Sequence, residues 1–79
     1  MVDLSLVHDA EHMRLLLESP AWKVLDRYLV SLRDEALKMM LDPRQEDQIQ
    51  HHWRGIYTGT ERIRGLPPEI IAYEKANRS

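Results

Sequence analysis

The clearest signal for secondary structure lies in residues 19–43, SPAWKVLDRYLVSLRDEALKMMLDP. Ser19 followed by Pro20 is typical of a helix start, because a serine hydroxyl can cap free amides and proline loses nothing at the first helical position. Behind this start, apolar residues recur at alternating spacings of three and four: Trp22, Leu25, Leu29, Leu32, Ala36 and Met39. The pattern predicts an amphipathic helix over residues 20–41 with a heptad-like apolar seam.

A second seam follows in residues 43–65. It shows the same alternation, in the order Ile49, Trp53, Ile56, Thr60 and Ile63. Asp42-Pro43 is again a helix start, and Gln45 is placed to complete a capping box. Because almost no loop separates the two segments, we expect an antiparallel helical hairpin. A single rod with a kink at Pro43 is the alternative.

Shorter helices are expected at both ends of the chain. Gly65 and the break at Leu66-Pro67-Pro68 predict the end of the third helix and the start of a fourth. The sequence therefore predicts a single all-α domain over residues 1–79, an antiparallel helical hairpin of two long helices with short N- and C-terminal helices. The expected helices cover residues 5–18, 20–41, 43–65 and 68–76.

Composition excludes several classes of protein. The 79 residues include no cysteine, which rules out disulfides and cysteine-ligated metal sites. Lys+Arg number 11 against Asp+Glu 13, a balance that does not favour a nucleic-acid tail. No apolar run approaches the ~20 residues needed to span a bilayer. The start at Met1-Val2-Asp3 lacks the pattern of a signal peptide, so we expect a cytoplasmic protein.

The two seams are long for the size of the chain. Helices of 22 and 23 residues would each measure about 33 Å, whereas a compact domain of this length has a radius of gyration near 12 Å. A single core of this size rarely supplies more than ~3–5 kcal/mol of stability. We therefore expect self-association or docking on a larger protein.

One short motif resembles a metal site. His8-Asp9-Ala10-Glu11-His12 fits H-x-x-E-H, in which histidines at i and i+4 can ligate one metal beside a glutamate base. The remaining context of a zinc protease is missing, and we interpret the motif as a solvated helix face. A metal site shared with His51 and His52 is the alternative. We expect no catalytic residue, no cofactor and no metal.

The basic residues of the second seam offer a candidate nucleic-acid surface. Arg54, Arg62 and Arg64 could contact phosphates, with Trp53 and Tyr57 near enough to stack a base. The net charge of −2 makes this electrostatic footprint thin. A small regulator that binds nucleic acid or a host enzyme through these arginines is therefore the alternative function.

Gly55 and Gly59 form a G-x-x-x-G pair in the same segment. Each glycine costs a helix interior ~1 kcal/mol relative to alanine, so a compensating gain is expected. Close approach of another helix backbone would supply such a gain. A local bend of the helix is the equally weighted alternative.

The order of motifs also carries a family resemblance. Trp22 opens a leucine-rich helix, and Asp42-Pro43, GIYTG at 55–59, RIRGLP at 62–67 and EII at 69–71 follow. Over residues 20–71 this order resembles small all-helical proteins found among the virion-assembly genes of tailed bacteriophages. The resemblance implies a non-catalytic accessory or assembly role beside portal, capsid or tail proteins, in the host cytoplasm or the virion.

Together these features predict a non-enzymatic assembly protein. It would form a homo-oligomer, dock on a larger protein such as a phage portal or capsid protein, or do both. The residues expected to form the interaction seam are Trp22, Leu25, Leu29, Leu32, Met39, Ile49, Trp53, Ile56 and Ile63.

Overall fold

The computed structural model describes residues 4–78, which fold into three α-helices. They are α1 (Leu4–Glu18), α2 (Pro20–Met40) and α3 (Asp47–Arg78). Residues 4–78 contain no β-strand. Helix α3 packs against both α1 and α2, whereas α1 and α2 contact each other little. The prediction of an all-α fold is confirmed.

The junction between α1 and α2 consists of Ser19 alone. Its hydroxyl accepts a hydrogen bond from the backbone N–H of Trp22 at 3.1 Å and donates one to the carbonyl of Leu16 at 2.8 Å. Pro20 occupies the start of α2, where its missing N–H needs no partner. The predicted start of α2 is confirmed, and one residue joins two helices.

The connection from α2 to α3 is longer than predicted. Residues 41–46 form turns, and α3 begins at Asp47 rather than at Pro43. The Asp42 carboxylate accepts from the backbone N–H of Arg44 at 2.9 Å, two residues on, so it closes a local turn instead of capping a helix. The side-chain amide of Gln50 donates to the Asp42 carbonyl at 2.9 Å and fastens this turn to α3.

Helix α3 runs without interruption through Pro67 and Pro68. The predicted break between residues 65 and 68 is therefore wrong, and the expected third and fourth helices are one. Gly65 lies inside α3 without a positive φ, so it does not end a helix. Pro67 is buried, and α3 pairs with α2 through Arg64 before it and with α1 through Glu74 after it. This packing outweighs the two backbone hydrogen bonds that the prolines remove.

Polar contacts show which parts of the chain are adjacent. They join Arg14 to Glu74, Asp26 to Arg64, Arg33 to Glu61 and Asp42 to Gln50. As the chain advances from Arg14 to Asp42, its contacts thus move backward along α3, from Glu74 to Gln50. The molecule is elongated, with extents of 54 × 27 × 15 Å and a radius of gyration of 16.5 Å.

The buried core is small. Among residues 4–78, only Ala10, Ala36, Thr60, Pro67 and Glu74 are classed as buried. Two of these are alanines and two carry polar side chains. Most of the large apolar side chains are therefore half-buried or exposed.

Candidate protein-binding surface

The helix contacts are organised around two rows of residues with seven-residue spacing. We call them the central rows: Trp22, Leu29 and Ala36 in α2, and Trp53, Thr60, Pro67 and Glu74 in α3. Every member is buried or half-buried. Seven residues correspond to nearly two helical turns, so each row keeps to one side of its helix. The central rows are therefore where the helices meet.

A second pair of rows lies four residues after the central rows. These inner rows consist of Asp26, Arg33 and Met40 in α2, and of Tyr57, Arg64 and Ile71 in α3, all half-buried. The guanidinium of Arg64 donates to Asp26 at 2.7 Å and to Glu61 at 3.0 Å. Arg33 lies 3.5 Å from the same Glu61 carboxylate. The hydrogen bonds from Arg64 to Asp26 and then to Glu61 raise the pKa of Arg64. The inner rows thus join α2 to α3 by an ion-pair network.

A third pair of rows is apolar and open. Each residue of these outer rows lies three positions after a central-row residue, except Ile49, which lies four positions before Trp53. Their members are Leu25, Leu32 and Met39 in α2, and Ile49, Ile56, Ile63 and Ile70 in α3. Leu25 and Ile63 are each 51% exposed, and Leu32 is 39% exposed. Other residues of the chain cover these rows only partly, although uncharged apolar side chains are the ones that favour burial.

The predicted interaction seam therefore falls on two different surfaces. Trp22, Leu29, Trp53 and their neighbours Ala36 and Thr60 lie in the central rows, where they pack within the chain. The other six predicted members, Leu25, Leu32, Met39, Ile49, Ile56 and Ile63, lie in the outer rows. The inward positions of Asp26 and Arg33 in the inner row of α2 were not predicted, because charged side chains are expected in solvent. A signal was present, since Asp26 and Arg33 are spaced by seven beside the seam.

Glu74 is a further residue whose role the sequence pattern did not indicate. Its side chain is 1% exposed and lies between Arg14 of α1, at 3.4 Å, and Arg78 of α3. A buried carboxylate needs such partners, because an isolated charge loses its hydration without compensation. The pair with Arg14 fixes α1 against the end of α3.

A cleft opens where α1 meets the second half of α3. It measures about 180 Å³ and is lined by Leu6, Leu66, Glu69, Ile70 and Tyr73. Ile70 is the last member of the outer row of α3, so the cleft continues that row toward α1. Leu66 and Tyr73 beside it are exposed apolar side chains.

The three arginines predicted to contact nucleic acid differ in their exposure and in their partners. Arg64 is held by Asp26 and Glu61, whereas Arg54 and Arg62 are exposed. Trp53 is half-buried in its central row, with the ring of His52 edge-on at 5.8 Å. Arg64 and Trp53 therefore already serve packing within the chain.

Within residues 4–78, the glycine pair has no close neighbour. A Cβ built on Gly55 or on Gly59 would meet no atom within 4 Å, so no other helix of this molecule approaches them closely. Helix α3 is continuous at both positions and does not fray there. Close approach by a helix from another molecule stays a prediction.

The histidine motif lies on α1 with all four of its polar side chains exposed: His8, Asp9, Glu11 and His12. Ala10 between them is buried. Within residues 4–78, no three His, Asp or Glu side chains are grouped so that they could hold a metal ion. In the same part of the chain, no helix has the length and apolarity needed to cross a membrane.

Comparison of the chain with protein-family models, with curated proteins and with solved structures finds no match. Its function is therefore inferred from the geometry and from the sequence pattern.

Proposed function

We propose that this chain is a non-enzymatic assembly protein that buries its outer rows against another protein chain. The observation that carries the proposal is the contrast between rows of the same helix: the charges of Asp26 and Arg33 are paired within the chain, whereas Leu25 and Leu32 beside them are exposed. Exposed contiguous apolar surface of this kind marks sites of protein–protein contact.

We further propose that α2 and the first half of α3 form an antiparallel hairpin. The pairing of Asp26 with Arg64 and of Arg33 with Glu61 supports this direction. In both helices the outer row follows the central row by three residues and the inner row follows it by four. Antiparallel helices that face each other through their central rows then have both outer rows on one side. That side would be a continuous apolar face, with coiled-coil-like spacing along both helices.

The exposed area of the chain also supports a partner. Its accessible surface is 6205 Å² for a mass of 9.4 kDa. A compact monomeric protein of that mass exposes about 5,000 Å². The excess of roughly 1,200 Å² is of the size that one subunit contributes to a stable interface. Burial of that area against a partner would contribute the stability that the small core lacks.

The assembly role that we propose is that of a virion accessory or scaffold-like component of a tailed bacteriophage. It is supported by the resemblance over residues 20–71. The partners would be further copies of the chain, or a larger protein such as a portal or capsid protein, in the host cytoplasm or the virion. The half-buried Arg64, already paired with two carboxylates, weakens the alternative of a nucleic-acid-binding regulator.

A pair of charge variants tests this proposal. The double variant Leu32→Asp with Ile63→Asp introduces charges into the outer rows, and Ser31→Asp with Thr58→Asp introduces them at exposed positions outside all the rows. Assembly stabilises the folded chain by mass action, so the wild-type melting temperature should rise with protein concentration. We expect the control to behave like the wild type and the outer-row variant to melt lower, independently of concentration.

Circular dichroism at several concentrations gives both the helix content and the melting temperature. A concentration dependence that is present in the control and equally strong in the outer-row variant would contradict the proposal that the outer rows form the contact. Loss of helix content at low concentration in the outer-row variant alone would show that these rows are needed within the chain instead.

A further inference from the structure

The outer rows are suited to contact with a copy of themselves. A twofold-symmetric interface brings one surface patch against the same patch, so a charged patch would meet its own sign of charge. The seven outer-row residues are all apolar, and none is charged. Contact between two such faces therefore buries no unpaired charge.

The area that two chains would cover is large enough for a stable dimer. An excess of roughly 1,200 Å² on each chain amounts to about 2,400 Å² for two, and permanent homodimers typically bury more than ~2,000 Å². The seven-residue spacing adds a reason for a copy, because side chains with equal spacing on two faces can interlock along their whole length.

The register of the chain then indicates which residues would meet. Within the chain, Asp26 pairs with Arg64 and Arg33 pairs with Glu61. Two residues of α2 and α3 that lie side by side, at the same level along the long axis, therefore have numbers that add up to between 90 and 94. A second copy, related to the first by a twofold rotation about the long axis, would place its α3 over α2 of the first copy. Each residue would keep its level along that axis. Leu32 would then face Gly59 of the other copy, since these numbers add up to 91.

Leu32 and Gly59 are complementary in size. Leu32 is a partly exposed large side chain, and no atom lies within 4 Å of the position of a Cβ at Gly59. A leucine from the second copy could occupy this open space and allow the two helices to approach closely. The helix stability that glycine forfeits at position 59 would be offset by this contact.

We propose that the occupant of the outer rows is a second copy of this chain, packed face to face so that α2 of each copy lies on α3 of the other, with Leu32 over Gly59. This inference rests on the proposed function and adds the partner and its orientation. The product would be a two-layered arrangement of four long helices, in which each long helix has an antiparallel neighbour in its own chain and another in the second copy.

Disulfide formation between chains tests the orientation, because the wild-type sequence has no cysteine. A Leu32→Cys chain, labelled with ¹⁵N, is mixed with an unlabelled Gly59→Cys chain under mild oxidation. We expect a mixed disulfide dimer, identified by mass spectrometry, to form at least ~10-fold faster than with the control chain Asp34→Cys. Asp34 is exposed at a similar level of α2 but lies outside the outer row.

Three results would overturn the inference. Equal rates for Leu32→Cys and Asp34→Cys would remove the face-to-face contact. Preferred linkage of Leu32→Cys chains to each other would place α2 on α2 and leave the proposed function intact. A single-chain mass for the wild type would exclude the second copy, while outer-row binding to a different protein would still satisfy the proposed function.

Small-angle scattering of the wild-type chain provides a test that needs no variant. A face-to-face dimer doubles the mass while its longest dimension stays near the 54 Å of one chain. A dimer that is about twice as long would contradict the face-to-face arrangement.

Discussion

Leu25 and Asp26 are neighbours in sequence, as are Leu32 and Arg33, yet in each pair it is the charged residue that faces α3. Asp26 and Arg33 lie in the inner row and reach Arg64 and Glu61. Leu25 and Leu32 lie in the outer row and are exposed. In these two pairs the usual distribution, with the apolar residue inside and the charged residue in solvent, is therefore reversed.

This contrast separates two tasks. The inner rows fix how the helices of one chain align, because ion pairs have a defined partner and a defined distance. The outer rows supply apolar area, which is less directional and can be covered by another chain. Changes in the inner and central rows should therefore act on the folding of one chain, and changes in the outer rows on its assembly.

The largest effect is expected at Ala36, the fully buried member of the central row of α2. Ala36→Asp would place a charge without a partner between α2 and α3, at a cost of about 3–5 kcal/mol. That cost is as large as the stability of a small core, so the variant should be unfolded. Chemical denaturation followed by circular dichroism measures it, with Ser31→Asp as the exposed control. Cooperative unfolding at the wild-type midpoint would contradict the burial of Ala36.

The next effect is expected at Glu74. Glu74→Ala removes the buried carboxylate that joins Arg14 to α3 and should lower the free energy of unfolding by about 1–3 kcal/mol. Arg14→Ala should cost less, because Arg14 is partly exposed and Glu74 keeps Arg78. Urea denaturation of both variants, below the concentration at which the chain assembles, decides the order. A larger loss for Arg14→Ala would contradict the role of Glu74 as the centre of this contact.

A smaller and opposite effect is expected at the glycines. Gly55→Ala and Gly59→Ala should each stabilise the isolated chain by about 1 kcal/mol, because alanine favours the helix and its Cβ would meet no atom of another helix in residues 4–78 within 4 Å. If Leu32 of a second copy occupies the space at Gly59, only Gly59→Ala should weaken assembly. Thermal unfolding and the concentration dependence of the mass separate the two effects. Equal assembly by both variants would show that no helix approaches closely at Gly59.

The smallest effect concerns Asp42 in the turn between α2 and α3. The side-chain hydrogen bond from Arg44, followed by the one from its backbone N–H, lowers the pKa of Asp42 from 3.8 to about 2. Because the folded pKa is the lower one, Asp42 contributes stability above pH 3.8 and loses that contribution as the pH falls toward 2. Asp42→Asn should make the unfolding midpoint less dependent on pH in this window. An unchanged pH dependence would contradict the turn.

The sequence predicted the helical fold and the start of α2 because these depend on local chemistry. Ser19 and Pro20 act through the nearest amides, and the alternation of spacings follows directly from the helical period. The continuity of α3 could not be predicted, because the local tendency of Pro67 and Pro68 to break a helix is overcome by packing against distant residues. The same applies to Glu74, whose burial depends on Arg14, sixty positions away.

The division of the seam into central, inner and outer rows follows only partly from the sequence pattern. Leu25 and Asp26 both lie near the contact between α2 and α3, and the apolar pattern of the sequence favours Leu25 as the residue that faces inward. The structure places Asp26 inward because Arg64 is at the right level of α3 to pair with it. A partner on the far helix, rather than the residue itself, determines which neighbour faces inward.

Coverage of the outer rows by a second copy of the chain would determine the mass of the protein in solution. Light scattering of the wild-type chain across a dilution series measures that mass. We expect twice 9.4 kDa at high concentration, falling toward a single chain on dilution. A mass of 9.4 kDa at every concentration would contradict it.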